Sequence, residues 1–362
     1  MYRLHVTDFG ACGDGVHDDT AAIQAAISYI ADHGGVGTVY FPFTPNGYRI
    51  ASAGIPEADG APLRAQLCIP ASVRNLALVG ELPCNVLNAY LVRPSESAAK
   101  NYTPTTFGRP AVSNTVLFSD WDAPEVHDPK ERPWAILAAP QGCSLKGRFS
   151  VPMVTLQNLE FRVRMDRDRM YPTQSAVNLQ NVSRVHVEDC HFCLDEQVGD
   201  TLLQKQLLEN PCQTVGLMTS GDQNDDQVLR NVAVQGFKYG LVCGEHVAAD
   251  YLYLHNCEYA LCFHDSSHLS TVQHIVAQHN TRILAALPDG TFGHAAGPCN
   301  VDIGALNLES GRGLRPEISA LQYGVWDPDD RLRGYLRWFI PWGDQSFPVL
   351  GASRMHISHW GD

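Results

Sequence analysis

The chain of 362 residues carries 26 Lys and Arg against 39 Asp and Glu, a formal charge of −13, which argues against a nucleic-acid or anionic-membrane partner. It holds no apolar run of the ~18 residues a membrane helix needs and no hydrophobic leader after Met1, so a cytoplasmic location is the expectation. Its 11 cysteines are an odd number, and Cys190, Cys243, Cys257 and Cys262 fall in strand-like runs, where a reduced thiol packs as a small apolar group.

Asp8-Phe9-Gly10-Ala11-Cys12-Gly13-Asp14-Gly15 opens the chain with glycine-rich turns. Asp18 or Asp19 then offers an N-cap, Ile23, Ile27 and Ile30 recur at helical spacing, and Gly34-Gly35 stops the helix. Strands are expected at Gly37–Pro42 and Gly47–Ile50. A helix with one apolar face, set before a first coil, suits the open end of a solenoid core. This opening resembles the N-terminal signature of the pectate-lyase superfamily, the right-handed parallel β-helix proteins that include polygalacturonase-type glycoside hydrolases, polysaccharide lyases and phage tailspikes. The resemblance implies a carbohydrate-active protein with no cofactor, or with Ca2+ held by acidic residues if the reaction is a β-elimination.

Asn75–Gly80 reads as a strand and turn, whereas 81–133 is rich in Pro, Ser, Asn and Asp and reads as a long loop excursion that walls a groove. Strands return at Ala135–Ala139, Met153–Phe161, Ala176–Asn181 and Arg184–Cys190. Across 195–210, Leu202, Leu203, Gln206 and Leu207 have helical spacing and predict a short amphipathic helix. After Val215–Ser220 comes a repeat: Tyr239-Gly240-Leu241-Val242-Cys243-Gly244-Glu245 returns as Tyr259-Ala260-Leu261-Cys262-Phe263-His264-Asp265, with the alternation Tyr251–Leu254 between. A period of about twenty with two short strands and no helix is one coil of a parallel β-solenoid. Ile283–Leu287 and Val301–Leu308 continue it, and 311–362 reads as an irregular tail with strand-like runs such as Leu332-Arg333-Gly334-Tyr335-Leu336, whose Trp326, Trp338, Trp342 and Trp360 close the C-terminal end or meet another subunit. The expected fold is therefore all-β, a right-handed single-stranded parallel β-helix with an N-terminal capping α-helix. It forms one domain over 1–362, and side-by-side trimers are expected.

Superposing coils on Leu217, Leu241 and Leu261 places Ser220, Gly244 and His264 in one column and Gly221, Glu245 and Asp265 in the next. Asp222, Asp225 and Asp226 belong to the same corner one rung earlier. Parallel strands are about 4.8 Å apart, so carboxylates on neighbouring rungs lie roughly 5 Å apart and push one pKa upward, which yields an acid beside a base. Glu245 and Asp265 are the expected catalytic dyad of a glycoside hydrolase or transglycosidase. Asp222, Asp225 or Asp226 supplies a further carboxylate, and His246, His264 and Arg282 contact substrate. The competing structural reading is a solvated ladder of turn-forming side chains. Tyr171, Trp326 and Trp338 offer sugar-stacking faces or core packing. Cys190-His191-Phe192-Cys193 has no second Cys/His pair at finger spacing, so no metal is expected. Of the elements that polygalacturonase-type hydrolases carry, the adjacent pair Asp225-Asp226 precedes Gly244-Glu245-His246, while Met218-Thr219-Ser220 and Asn280-Thr281-Arg282 depart from the family pattern. The alternatives to a hydrolase are a β-elimination lyase and a non-catalytic, tailspike-like glycan-binding protein.

Overall fold

The computed structural model describes residues 2–52, 64–84, 114–139, 151–166, 171–180, 182–194, 210–219, 226–309, 323–341, 349–350 and 354–360. The chain is a right-handed parallel β-helix. One sheet runs from Tyr2–His5 through Val36–Phe41, Asn75–Gly80, Val151–Gln157, Val182–Leu194, Asp226–Gln235, Val247–His255, Ser266–Gln278, Cys299–Glu309 and Leu332–Pro341 to Arg354–Trp360. A second sheet stacks the short strands Ala65–Cys68, Ala135–Ala138, Ser175–Asn178, Val215–Met218, Tyr239–Cys243, Tyr259–Phe263, Arg282–Ala286, Tyr323–Trp326 and Val349–Leu350. Asp14–Asp18, Gly47–Ile50, Thr115–Ser119 and Leu159–Val163 form a branch that joins the second half of Val182–Leu194.

Like residues stack because parallel pairing sets each coil in register on the last. Leu217 pairs with Leu241, Leu241 with Leu261 and Leu261 with Leu284, and all four are buried in one core. Phe161 and Phe192 stack at 5.6 Å in the same way. Along Val36–Phe41 and Asn75–Gly80 alternate residues are buried, as a sheet with one inward face requires. The short strands are buried on both faces, which means that something covers their outer side as well. Bends fall at residues that tolerate positive φ. Asn158, Asp189 and Asn231 have φ of 58, 50 and 50°, and Asn231 Nδ2 donates to Asp189 Oδ1 at 2.6 Å.

The helix Thr20–Asp32 buries Ile23, Ile27 and Ile30 over the first coil. Asp19 is its N-cap residue, yet its carboxylate makes no cap bond. Instead, fully buried, it accepts the amides of Cys12 and Gly13 at 2.7 and 3.0 Å and so ties the glycine turns to the helix. Asp18 does the capping, accepting the Thr20 amide at 3.1 Å and that of Ala51 at 3.0 Å. Burial works against the Asp18 carboxylate, but these amides and the hydroxyls of Ser52 and Thr20 hold its pKa down to about 2. Gly35 has φ +72°, and a Cβ there would lie 2.4 Å from the Ser72 carbonyl oxygen. Among the described residues no helix is long and apolar enough to cross a membrane.

Two expectations change. The excursion expected over 81–133 contains the strand Thr115–Ser119, which pairs with Gly47–Ile50 and Leu159–Val163. The segment after it crosses the outer face of the short-strand sheet, where Val126 O accepts the Gln213 amide at 2.9 Å. The tail expected to be irregular over 311–362 continues the ladder, with Ala305 paired to Trp338 and Trp338 to His359. In both places the preceding coil supplies the pairing template, so a strand forms without a strong alternation of its own. The amphipathic helix expected at 195–210 lies outside the described residues, apart from Asn210.

Candidate functional site

Two features stand out, a corner of the coil wall and a cleft on the short-strand sheet. At the corner, the His264 amide bonds the Cys243 carbonyl at 3.2 Å, so Gly244 and His264 are neighbours as the repeat implies. Beyond that point the coils diverge. Leu241 pairs with Leu261, an offset of 20, and Ala248 with Thr271, an offset of 23, so the second turn is three residues longer.

That insertion decides which side chains meet. Asp265 turns toward the following coil, where a Cβ on Gly297 would lie 2.5 Å from its Oδ1. Into the place above Glu245 comes His268, with Nδ1 at 2.8 Å from Glu245 Oε2. The His246 ring, on a backbone with φ 59°, stacks on that of His268 at 4.5 Å and 16°. Glu245, His246 and His268 thus bring one ligand atom each within 4.8 Å of one another. The Glu245 carbonyl accepts Gln227 Nε2 at 2.9 Å, and the buried Gln227 takes the Thr219 hydroxyl on its Oε1. Asp226, at the start of the strand one coil earlier, lies 3.2 Å from His186 Nε2. Asp222 and Asp225 lie outside the described residues.

His264 and Arg282 are not where a surface reading puts them. His264 is 2% exposed. Burial, reinforced by His294 and Arg331, lowers its pKa to about 4, so at neutral pH it is an uncharged ring set edge-on to His294 at 5.6 Å. Its backbone places it at the end of a short strand, under the loop that follows Leu287. Arg282 Nη1 is 2.5 Å from Glu258 Oε1, and its guanidinium lies over the rings of Tyr259 at 4.4 Å and Trp326 at 5.4 Å. Burial pushes the Glu258 pKa up, while Lys238 and Arg282 pull it back.

The cleft grows from the same aromatic column. Tyr239 and Tyr259 stack at 5.0 Å and 16° on successive coils, and Trp326 meets Tyr259 edge-on at 5.1 Å. Phe292, from the loop after Leu287, closes on Tyr239 at 5.2 Å and covers the outer side of the short strands. A cavity of about 180 Å³ opens beside these rings, lined also by Pro129, Lys130 and Asp289. Sequence reasoning named Trp326 as a stacking face but used Tyr239 and Tyr259 only as marks of the repeat. Their identical place in both copies was the signal that a ring column exists. His268 carried no signal, because it sits in the insertion that breaks the period.

Fold and cleft together define a parallel β-helix protein with an aromatic-lined groove on its short-strand sheet. Residues 4–57 match the family described as rhamnogalacturonase A/epimerase, pectate lyase-like, so the resemblance to the pectate-lyase superfamily holds over that segment. The mannuronan C5-epimerase AlgE6 of Azotobacter vinelandii is 57% identical over 56 residues, 16% of this chain and 6% of that protein. This chain therefore matches only a small part of that relative's length. Among solved structures, Geobacillus virus E2 ORF18 aligns over 98% of this chain and 59% of its own at a TM-score of 0.43 and 14% identity. The A-module of Azotobacter vinelandii AlgE6 aligns over 99% and 98% at 0.35 and 17%.

Proposed function

We propose that the chain is a carbohydrate-active protein that seats a saccharide unit in the cleft formed by Tyr239, Tyr259 and Trp326. The ring column beside a cavity of about 180 Å³ carries this reading. Tyr239 and the Arg282 guanidinium cover the two faces of Tyr259, so the apolar C–H groups of a pyranose would pack on the ring edges and on Trp326, while its hydroxyls need a few well-placed polar groups. Lys130 lines the cavity and can pair with a saccharide carboxylate, while Asp289 beside it can accept from sugar hydroxyls. The N-terminal match to a protein named for epimerising mannuronan supports a polyuronate as first candidate. The test is calorimetric titration with a panel of neutral and acidic oligosaccharides. Tyr259→Ala and Trp326→Ala should each raise Kd by about 2- to 12-fold, since an aromatic contact contributes about 0.5–1.5 kcal/mol. Unchanged affinity in both variants, for a saccharide that the parent binds, would remove the cleft from consideration.

A second reading adds bond cleavage by Glu245 and Asp265. Their turns follow Cys243 and Phe263 on adjacent coils, but His268 stands beside Glu245 and Asp265 faces the next coil, so the two would act from opposite sides of a bound saccharide and not as neighbouring carboxylates. New reducing ends after incubation with the bound saccharide would support hydrolysis. An unsaturated, ultraviolet-absorbing product would assign elimination instead, and no product would leave binding alone.

A further inference from the structure

We propose that Glu245, His246 and His268 form a site for a divalent first-row transition metal, zinc foremost. Zinc holds imidazole nitrogens at about 2.0–2.1 Å and carboxylate oxygens at about 2.0–2.2 Å, so neighbouring ligand atoms of a tetrahedral site are roughly 3.4 Å apart. Glu245 Oε2 and His268 Nδ1 stand at 2.8 Å, and one atom from each of the three residues lies within 4.8 Å of the others. Turning the two imidazoles out of their stack would bring the set to coordination distance. His268 has a side chain 62% exposed and so has solvent to turn into as its stack on His246 opens, while Glu245, at 13%, provides the fixed point.

Two further observations fit a site rather than a chance cluster. The buried Gln227 anchors the Glu245 backbone from the previous coil, the kind of outer support that orients ligands. The three-residue insertion after Phe263 is what carries His268 over Glu245. Two imidazoles with one carboxylate select zinc and its neighbours over Ca2+ or Mg2+, which require mostly oxygen ligands. Three protein ligands at an exposed corner leave a fourth position for water or a substrate oxygen.

The proposal goes beyond the saccharide reading and does not rest on it, because the metal is titrated with no sugar present. Every other cluster of this kind among the described residues contains a cysteine: Cys12 with His17 and Asp19, Cys212 with Glu125 and His127, and Cys193 with Glu160 and His191. Cobalt distinguishes them, since thiolate ligands add a near-ultraviolet charge-transfer band that imidazole and carboxylate lack. The full chain, stripped of metal and titrated with Co2+ near neutral pH, should take up one equivalent with visible absorption and no thiolate band. Zn2+ should displace it, and excess Ca2+ should not. His268→Gln and Glu245→Gln should each weaken binding by at least ~100-fold, the upper end of what loss of a mere outer-shell partner costs. For the third ligand, His246→Asn removes the imidazole while keeping a residue that accepts positive φ. Equal melting temperatures of parent and variants without metal establish that the fold is intact. No uptake, a thiolate band, displacement by Ca2+, or parental affinity in His268→Gln and His246→Asn would each overturn the assignment.

Discussion

Acidification should destabilise this fold through His264 in a definite pH window. In the folded chain its pKa falls from 6.5 to about 4, because burial disfavours the cation and the neighbouring His294 and Arg331 reinforce the effect. The unfolded chain protonates that ring near its ordinary value, so between pH 6.5 and about 4 the unfolded state binds the additional proton. The stabilising contribution is therefore complete above about pH 6.5 and is lost as the pH falls to about 4. A gap of roughly 2.5 units at 1.36 kcal/mol each is about 3 kcal/mol, a large share of the ~5–15 kcal/mol by which domains are stable. Asp18 titrates in the same direction but lower, since its pKa moves from 3.8 to about 2, so its loss begins where that of His264 ends. The assay is urea unfolding, followed by circular dichroism, of the parent and of His264→Gln at several pH values from 7.5 to 4. The stability difference between the two proteins should shift against the parent by about 3 kcal/mol across that range. A difference that stayed constant to within ~0.5 kcal/mol would show that His264 is not held neutral, and the reasoning from burial would fail.

Asp19→Ala leaves the Cys12 and Gly13 amides without their acceptor at a fully buried position, and should lower the unfolding free energy by about 2–4 kcal/mol at neutral pH, read as a fall in the urea midpoint. If the chain cleaves a saccharide by paired carboxylates, Glu245→Gln and Asp265→Asn should each lower turnover by at least ~10²-fold while the fold is kept. Asp265→Asn is the informative variant, since Asp265 lies outside the Glu245, His246 and His268 cluster, and full turnover in it would exclude the dyad.

Much of the scaffold was legible in the residues because its causes are local. Ile23, Ile27 and Ile30 could bury one stripe only as a helix, and Gly35 marks its end because no other residue fits at φ +72° against the Ser72 carbonyl. The Leu241 and Leu261 columns follow from the repeat alone, since identical strands stacked in parallel place identical residues on one face. The strand Thr115–Ser119 was hidden, and the tail showed strand-like runs such as 332–336 without the ladder they join, because a rung in a solenoid is imposed by hydrogen bonds from the coil before it.

The candidate sites were less legible for a related reason. Position in a repeat predicts the neighbour only while the period holds, and three added residues after Phe263 exchange Asp265 for His268 beside Glu245. Whether His264 faces water or Tyr239 faces a cleft depends on loops far along the chain, Phe292 and Pro129 among them, that cover the short strands from outside. Sequence by itself determined the capping helix, the coil and the stacking of its core, because each rests on spacing within one or two turns of the chain. Tertiary structure alone decided which polar groups meet, because side chains from different coils converge only after the whole stack has set the offset between them.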